Sequence, residues 1–216
     1  MKKFFMGGAA LLTLGSVAAA ADLGVNPYKA APPTPYVASP WDGLYVGANV
    51  GFGNTNFDST VTGNYPSNNS ASANGILGGF EVGYNKQLGM FVLGLETDFQ
   101  LSSITTTTNG VTTELPWFGT TRGNFGYLIT PALLAYGTGG AAYGRADISV
   151  PGATVKVPGV GWAAGAGVKY ALGGGWSVGA EYLHIELNGP SAAIGNTSID
   201  TKATTDLGRA KVDFKF

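Results

Sequence analysis

Apolar and polar residues alternate with a period of two along most of the chain after Trp41. In the first such segment, "WDGLYVGANVGF", Leu44 and Phe52 fall on one face, whereas Tyr45 and Asn49 fall on the other. This alternation is typical of a β-strand that has different environments on its two sides. Eight segments share the pattern, so we predict an all-β fold with eight strands.

The eight segments are long for strands, and the links between them alternate in length. The segments span residues 41–52, 76–85, 91–101, 117–127, 133–145, 160–170, 176–182 and 209–216. Short links lie at 85–89, 130–132 and 173–175, and longer polar links lie at 54–74, 103–113, 149–158 and 188–201. Short turns at one end and long loops at the other indicate an antiparallel up-and-down barrel.

One face of every segment carries bulky apolar residues, and the opposite face carries the charges and the small residues. Charged side chains on that second face are predicted to form a network inside the barrel: Glu81, Glu96, Asp98, Arg122, Lys169, Glu181, Arg209 and Lys211. Small residues suit the narrow interior of an eight-stranded barrel. The large residues suit an outer wall against lipid. Aromatic residues at the strand ends, Trp41 and Tyr45 among them, are expected at the membrane interfaces.

The fifth segment, "LLAYGTGGAAYGR", is rich in glycine, so its alternation is weak. We assign Leu134, Tyr136 and Ala142 to the apolar outer face and Tyr143 and Arg145 to the inner face. The pattern alone would also permit a soluble, lipocalin-like barrel in which the aromatic face lines a ligand cup. Such a protein would be purified without detergent, which separates the two hypotheses.

The composition favours the membrane barrel. Charged residues make up 12% of the chain, about half of the ~25% usual in globular proteins. Lys and Arg are scattered singly, so there is no basic stripe for nucleic acid. Cysteine is absent, which excludes disulfides and thiolate metal sites.

The first 40 residues have a different character from the rest. Lys2, Lys3 and the apolar stretch that follows, ending at "AAAAD", predict a signal peptide over residues 1–21. Residues 22–40 hold most of the prolines and are predicted to be an extended periplasmic linker. No later stretch is long and apolar enough for a membrane helix. The barrel domain therefore spans residues 41–216, and the predicted location is the outer membrane of a Gram-negative cell.

Several motifs carry a resemblance to a known family. The runs "SPWDGLYVGANVGFG", "GGFEVGYN", "YGTGGAAYG", "GAGVKYAL" with "WSVGAEYLHI", and the aromatic ending "DFKF" occur in this order. Together they resemble the small porin-like outer-membrane barrels of alpha-proteobacteria, whose architecture is related to the membrane domain of OmpA. The resemblance implies an integral outer-membrane protein. It also implies that the last strand, with Phe214 and Phe216, is an insertion signal for the outer-membrane assembly machinery.

Candidate chemical sites are few. His184 is the only histidine and lies near Glu186 and Ser191, a set that could serve a lipid-hydrolysing site. No spacing specifies a triad, and a polar ring near the lipid headgroups explains His184 better. Acidic residues of the polar links could bind a divalent cation between lipopolysaccharide phosphates, but their spacing matches no calcium loop. We predict no enzyme, no metal site and no cofactor.

Two functions remain open from the sequence. The first is a porin-like barrel that contributes to envelope structure and holds a narrow passive channel for small solutes, lined by the charged network. The many inward glycines favour this channel because they leave space in the lumen. The second is a surface adhesion or ligand-binding protein that acts through its long loops. Outer-membrane lipid and lipopolysaccharide are expected partners of both, and the oligomeric state stays open.

Overall fold

The computed structural model describes residues 39–62, 67–108, 111–150, 153–189, 192–194 and 197–216. The predicted signal peptide and nearly all of the predicted linker lie outside the described residues. Strands account for the regular structure of the described part. They are β1 Gly43–Thr62, β2 Ser67–Leu88, β3 Phe91–Thr108, β4 Val111–Thr130, β5 Leu133–Val150, β6 Ala153–Gly173, β7 Trp176–Asn188, β8 Ala192–Ile194 and β9 Thr197–Lys215. Among these residues no helix has the length and apolar character needed to cross a membrane.

Eight long strands form one closed antiparallel barrel. Each strand pairs with its neighbour in sequence from β1 to β7, β7 pairs with β9, and β9 returns to β1. The three-residue strand β8 pairs only with the start of β9. Closure leaves the long strands with partners on both sides, as a barrel in lipid requires. The predicted eight-stranded up-and-down barrel is confirmed.

The short turns lie where the sequence places them. β2 and β3 are joined through Gly89, whose φ of +64° is one that residues with a side chain rarely adopt. The turn between β6 and β7 uses Gly173, Gly174 and Gly175, all with positive φ. These turns, with the one at Pro131 and Ala132, define the end that we assign to the periplasm.

The prediction of long loops at the other end of the barrel is wrong. β1 continues to Thr62 and pairs with β2 residue by residue from Gly43 to Val61. β3, β4, β5 and β6 likewise extend through most of the segments assigned to loops. Asn, Ser and Thr residues are frequent there because the extended wall meets water. Threonine is also well suited to a β-strand. The barrel therefore continues well beyond its apolar outer band.

The predicted phase of β5 is also wrong. Leu134, Tyr136 and Ala142 are buried inside the barrel, whereas Tyr143 faces outward and is 37% exposed. Arg145, two positions after Tyr143, follows it to the outer face. The glycines that separate these residues remove the hydrophobic contrast between the two faces, so the alternation could not fix the phase of this strand.

Candidate functional site

A cluster of charged side chains fills the lumen in its lower half, on the side of the short turns. All eight residues of the predicted network lie there, and Asp213 joins them. The cluster contains five carboxylates and four cations: Glu81, Glu96, Asp98, Glu181, Asp213, Arg122, Lys169, Arg209 and Lys211. Their side chains are at most 5% exposed. Buried charges of this kind are tolerated only when they are paired and hydrogen-bonded.

Arg122 on β4 contacts three carboxylates inside the lumen. Its Nη2 atom lies 2.6 Å from Oε1 of Glu96 and 2.9 Å from Oδ2 of Asp98, both on β3. Its Nη1 atom lies 3.3 Å from Oε1 of Glu181 on β7. The planar guanidinium offers five N–H donors in a fixed arrangement, which suits several carboxylates at once. Arg122 therefore links strands on opposite sides of the barrel.

Arg209 and Lys211 on β9 reach into the same carboxylates from another side. Arg209 Nη2 lies 2.7 Å from Oε1 of Glu181 and 2.9 Å from Oδ2 of Asp98. Lys211 Nζ lies 2.9 Å from Oε1 of both Glu81 and Glu96. The charges thus form one connected cluster, because four carboxylates are each shared between cations from different strands: Glu81, Glu96, Asp98 and Glu181.

Two tyrosines complete the cluster, and sequence reasoning did not find their role. The hydroxyl of Tyr45 donates a hydrogen bond to Oε2 of Glu96 at 2.6 Å, and that of Tyr136 donates to Oε2 of Glu181 at 2.7 Å. Lys169 Nζ lies 4.5 Å from the centre of the Tyr45 ring and 2.7 Å from Oδ2 of Asp213. Tyr45 is 4% exposed, so its predicted place at a membrane interface is wrong.

The inward glycines do not leave the lumen open. In the register, Gly83 lies opposite Tyr45 and Gly167 opposite Tyr136. A methyl group added to either glycine would overlap the tyrosine ring beside it. The glycines therefore make space that large neighbours occupy, and the void expected from them is absent at these positions. Tyrosine opposite glycine is a signal that appears only once the register of the strands is known.

An apolar cluster lies at the turn end of the lumen, below the charges. Trp41, just before β1, is 3% exposed and packs with Val92, Leu128, Leu134 and Tyr136. Its indole Nε1 donates a hydrogen bond to the carbonyl of Pro131 at 3.0 Å. The predicted interfacial position of Trp41 is therefore wrong, because the ring lies inside the barrel end.

A larger apolar cluster lies in the lumen above the charges. It is built from buried side chains of every long strand except β1, with Phe57 of β1 packed against it. Its members are Ala73, Leu77, Ile104, Leu115, Phe118, Ala142, Ala163, Leu183, Ile185, Leu187 and Leu207. We call this cluster the upper apolar layer. No side-chain charge contributes to it, so the interior changes from ionic to apolar along the barrel axis.

The outer wall at the level of the charges is apolar. Phe52, Phe80 and Leu95 are each between 67% and 72% exposed. Aromatic rings cluster near the turn end, where Phe91 stacks on Phe125 at 5.7 Å between centroids. A contiguous band of large apolar side chains with aromatic residues at its edge is the surface of a transmembrane barrel.

The two faces exchange character near the top of this band. On β7, Tyr182 faces outward within the band, and the next outward positions are His184 and Glu186. Leu183, Ile185 and Leu187 point inward instead. On β7, the positions up to Tyr182 carry charge inside and apolar side chains outside. From His184 onward, this strand carries polar side chains outside and apolar side chains inside.

His184 lies on the outer face at this exchange. Its Nδ1 atom is 2.7 Å from Oδ1 of Asp206, which also accepts a hydrogen bond from the Tyr182 hydroxyl at 2.6 Å. Lys202 pairs with Glu186 at 2.8 Å one step higher, and its hydrogen bond lowers the pKa of that carboxyl. Ser191 lies outside the described residues. The position agrees with the headgroup interpretation of His184.

A family model for the outer membrane protein beta-barrel domain matches residues 7–208. The chain belongs to this family. The resemblance inferred from the sequence motifs is therefore confirmed, and so is the outer-membrane location.

Relatives in the family come from alpha-proteobacteria. The 31 kDa outer-membrane immunogenic protein of Brucella melitensis biotype 1 is 32% identical over 92% of this chain and 93% of its own length. The 22 kDa outer membrane protein of Rhizobium leguminosarum bv. viciae is 34% identical over 61% of this chain and 57% of its own length.

Solved structures with a similar fold share little sequence with the chain. Neisserial surface protein A is 16% identical with a TM-score of 0.49, and the match covers 81% of this chain and 98% of that one. OprG from Pseudomonas aeruginosa is 13% identical with a TM-score of 0.49, over 82% and 97% of the two chains.

Phe214 and Phe216, the predicted assembly signal, lie at the turn end of β9. Phe216 is 71% exposed, and its ring meets that of Phe214 at 5.3 Å in an edge-to-face arrangement. The backbone N–H of Phe216 donates to the carbonyl of Leu44 at 3.0 Å. Both rings thus stand on the lipid side of the seam where β9 closes on β1.

Proposed function

We propose that this protein is a non-enzymatic structural barrel of the outer membrane whose lumen is closed to solutes. The observation that carries the proposal is the stacking of three filled layers along the lumen. The Trp41 cluster lies at the bottom, the charged cluster in the middle and the upper apolar layer above it. An eight-stranded barrel is just wide enough for such a filling.

The charged cluster supports a structural role better than a channel. A hydrated ion that passed through would have to separate Arg122 and Lys211 from carboxylates that have no access to solvent. It would then have to cross the upper apolar layer, where the buried polar side chains opposite Phe118 and Ile185 are the uncharged Gln100 and Thr205. The narrow channel suggested by the sequence has less support than a closed lumen.

Planar-bilayer recording tests the proposal. The purified barrel, inserted into the bilayer, is expected to give no conductance steps above the lipid background. Insertion is checked on the same sample by the change in gel migration on heating. Reproducible steps from the unaltered protein would reject the closed lumen. A Phe118→Gly and Leu183→Gly double variant, which opens only the upper layer, is expected to stay silent because the charged cluster remains.

Surface binding is the second candidate, and the extended strands favour it. β1 runs ten residues beyond Phe52, and β2 begins nine residues before Ile76. These extensions would stand above the membrane, in contact with lipopolysaccharide or another cell. Deleting residues 58–70 joins Phe57 to its partner Ala71, which shortens this hairpin and leaves the start of β9 without its β1 partner. Loss of cell attachment with unchanged barrel levels would support adhesion, and deletion of 107–112 is the matched control.

A further inference from the structure

A cavity of about 400 Å³ opens inside the barrel above the upper apolar layer. Its apolar lining includes Phe57, Leu115, Val157 and Leu187, and threonine side chains such as Thr106 and Thr113 lie among them. Cavities of about 300–1,000 Å³ with mainly apolar walls and a few polar groups are the usual form of small-molecule sites. A structural barrel needs no such space.

The described lining offers no unpaired inward charge to an ionic ligand. Of its three charged residues, Arg145 pairs with Asp147 at 2.8 Å and Lys202 pairs with Glu186 at 2.8 Å. Asp58 is exposed and occupies an outward position of β1, next to the inward Phe57. The side chains that face the cavity are therefore apolar or carry hydroxyls.

One of those hydroxyls lacks a hydrogen-bond partner. Thr201 lines the cavity, and its Oγ1 atom is buried and has no partner within the described part of the chain. A buried polar atom without a partner is destabilising, and native structures contain few of them. A ligand that carries a hydroxyl or carbonyl group would supply the missing hydrogen bond.

We propose that this cavity binds an uncharged, mainly apolar small molecule that exchanges a hydrogen bond with Thr201. The upper apolar layer forms its floor, so the molecule enters and leaves from the outer side. The site is a blind-ended receptor and not a step in transport. This goes beyond the structural role; the blind end rests on the closed lumen of the proposed function, whereas the binding itself does not.

Methyl-resolved NMR of the protein in lipid nanodiscs tests the proposal with 1-naphthol as the probe. 1-Naphthol is expected to shift the methyl signals of Leu115 and Leu187 in a saturable manner. The lipid-facing Leu93 and Leu95 report partition of the probe into lipid and the integrity of the barrel. 1-Naphthalenesulfonate, which has the same rings and a permanent charge, is expected to leave Leu115 and Leu187 unshifted.

Three variants sharpen the test. Ala71→Phe, which fills the cavity from β2, is expected to abolish the shifts. Thr201→Val keeps the shape and removes the hydroxyl, so the apparent affinity should fall about fivefold, the effect of about one hydrogen bond. Thr204→Val, on the outer face of the same strand, should bind as the unaltered protein does.

Each opposite result overturns part of the proposal. No saturable shift at Leu115 and Leu187 in the unaltered protein would remove the site. Equal shifts from the sulfonate would remove the restriction to uncharged ligands. Equal affinities of Thr201→Val and Thr204→Val would remove the hydrogen bond. These results are independent of conductance, which alone tests the closed lumen.

Discussion

The Nζ atom of Lys211 lies 2.9 Å from Oε1 of Glu81, and neither side chain is accessible to solvent. Lys202, nine positions earlier on the same strand, makes an ion pair of similar length with Glu186, but its side chain is 44% exposed. β9 therefore carries two lysine–glutamate pairs with the same chemistry and opposite environments.

Lys211→Met should destabilise the barrel by about 3–5 kcal/mol, because it leaves buried carboxylates without their cation. Lys202→Met should change the stability by less than about 1 kcal/mol, since an exposed pair contributes little. Urea unfolding of both variants in lipid vesicles measures the difference. Similar losses from the two substitutions would show that the charged cluster does not carry the stability of the lower barrel.

Trp41 should be shielded from lipid, unlike the outward tryptophans. A variant that keeps Trp41 and replaces Trp117, Trp162 and Trp176 by Phe is expected to show little fluorescence quenching by brominated lipids. The matched variant that keeps only Trp176, whose ring is 50% exposed at the same end of the barrel, should be strongly quenched. Strong quenching of Trp41 would place its ring outside the barrel.

The change of face along β3 fixes the depth of the protein in the membrane. Leu95 is 67% exposed within the apolar band, and Leu95→Arg should destabilise the inserted barrel by about 2–4 kcal/mol. Thr105, on the outer face of the same strand beyond the band, should accept arginine with about 0–1 kcal/mol of change. Folding titrations in vesicles compare the two. A penalty at Thr105 as large as that at Leu95 would move the membrane boundary outward.

Phe216→Ala should lower the amount of assembled barrel in cells more than it lowers the stability of purified, folded barrel. The reason is the role that the resemblance assigns to the end of β9 in recognition by the assembly machinery. Phe91→Ala removes another exposed ring near the same turn end and is the matched control. If both substitutions reduce assembly equally, loss of lipid contact explains the effect and a recognition signal does not.

The strands that could be predicted are those with strong contrast between their faces. On β7, the apolar Val178 and Tyr182 alternate with the charged Glu181, so only one assignment of outward and inward faces is possible. The structure has that assignment. In β5 the contrast is lost among glycines, so alternation assigns Tyr136 to the wrong face. The upper strand segments have the composition of loops because polar residues there indicate contact with water and do not show whether the strands are hydrogen-bonded to each other.

The composition of the charged cluster followed from alternation, but its connections did not. Alternation shows that Glu96 and Lys211 share the inner face. It cannot show that they meet at 2.9 Å, because they lie 115 positions apart and the tilt of the strands decides which residues face each other across the lumen. The prediction that Trp41 lies at the membrane interface fails for a similar reason, since its contact with Pro131 depends on barrel closure.

The exchange of faces at Tyr182 and His184 has a consequence for engineering. Above that level β7 already alternates as in a water-soluble protein, with a polar exterior and an apolar interior. A soluble version would require new outward side chains at the exposed apolar positions, such as those between Leu44 and Phe52 on β1 and Val160 and Trp162 on β6. The cavity-bearing end could keep its native sequence, so the receptor could be studied without a detergent or a membrane.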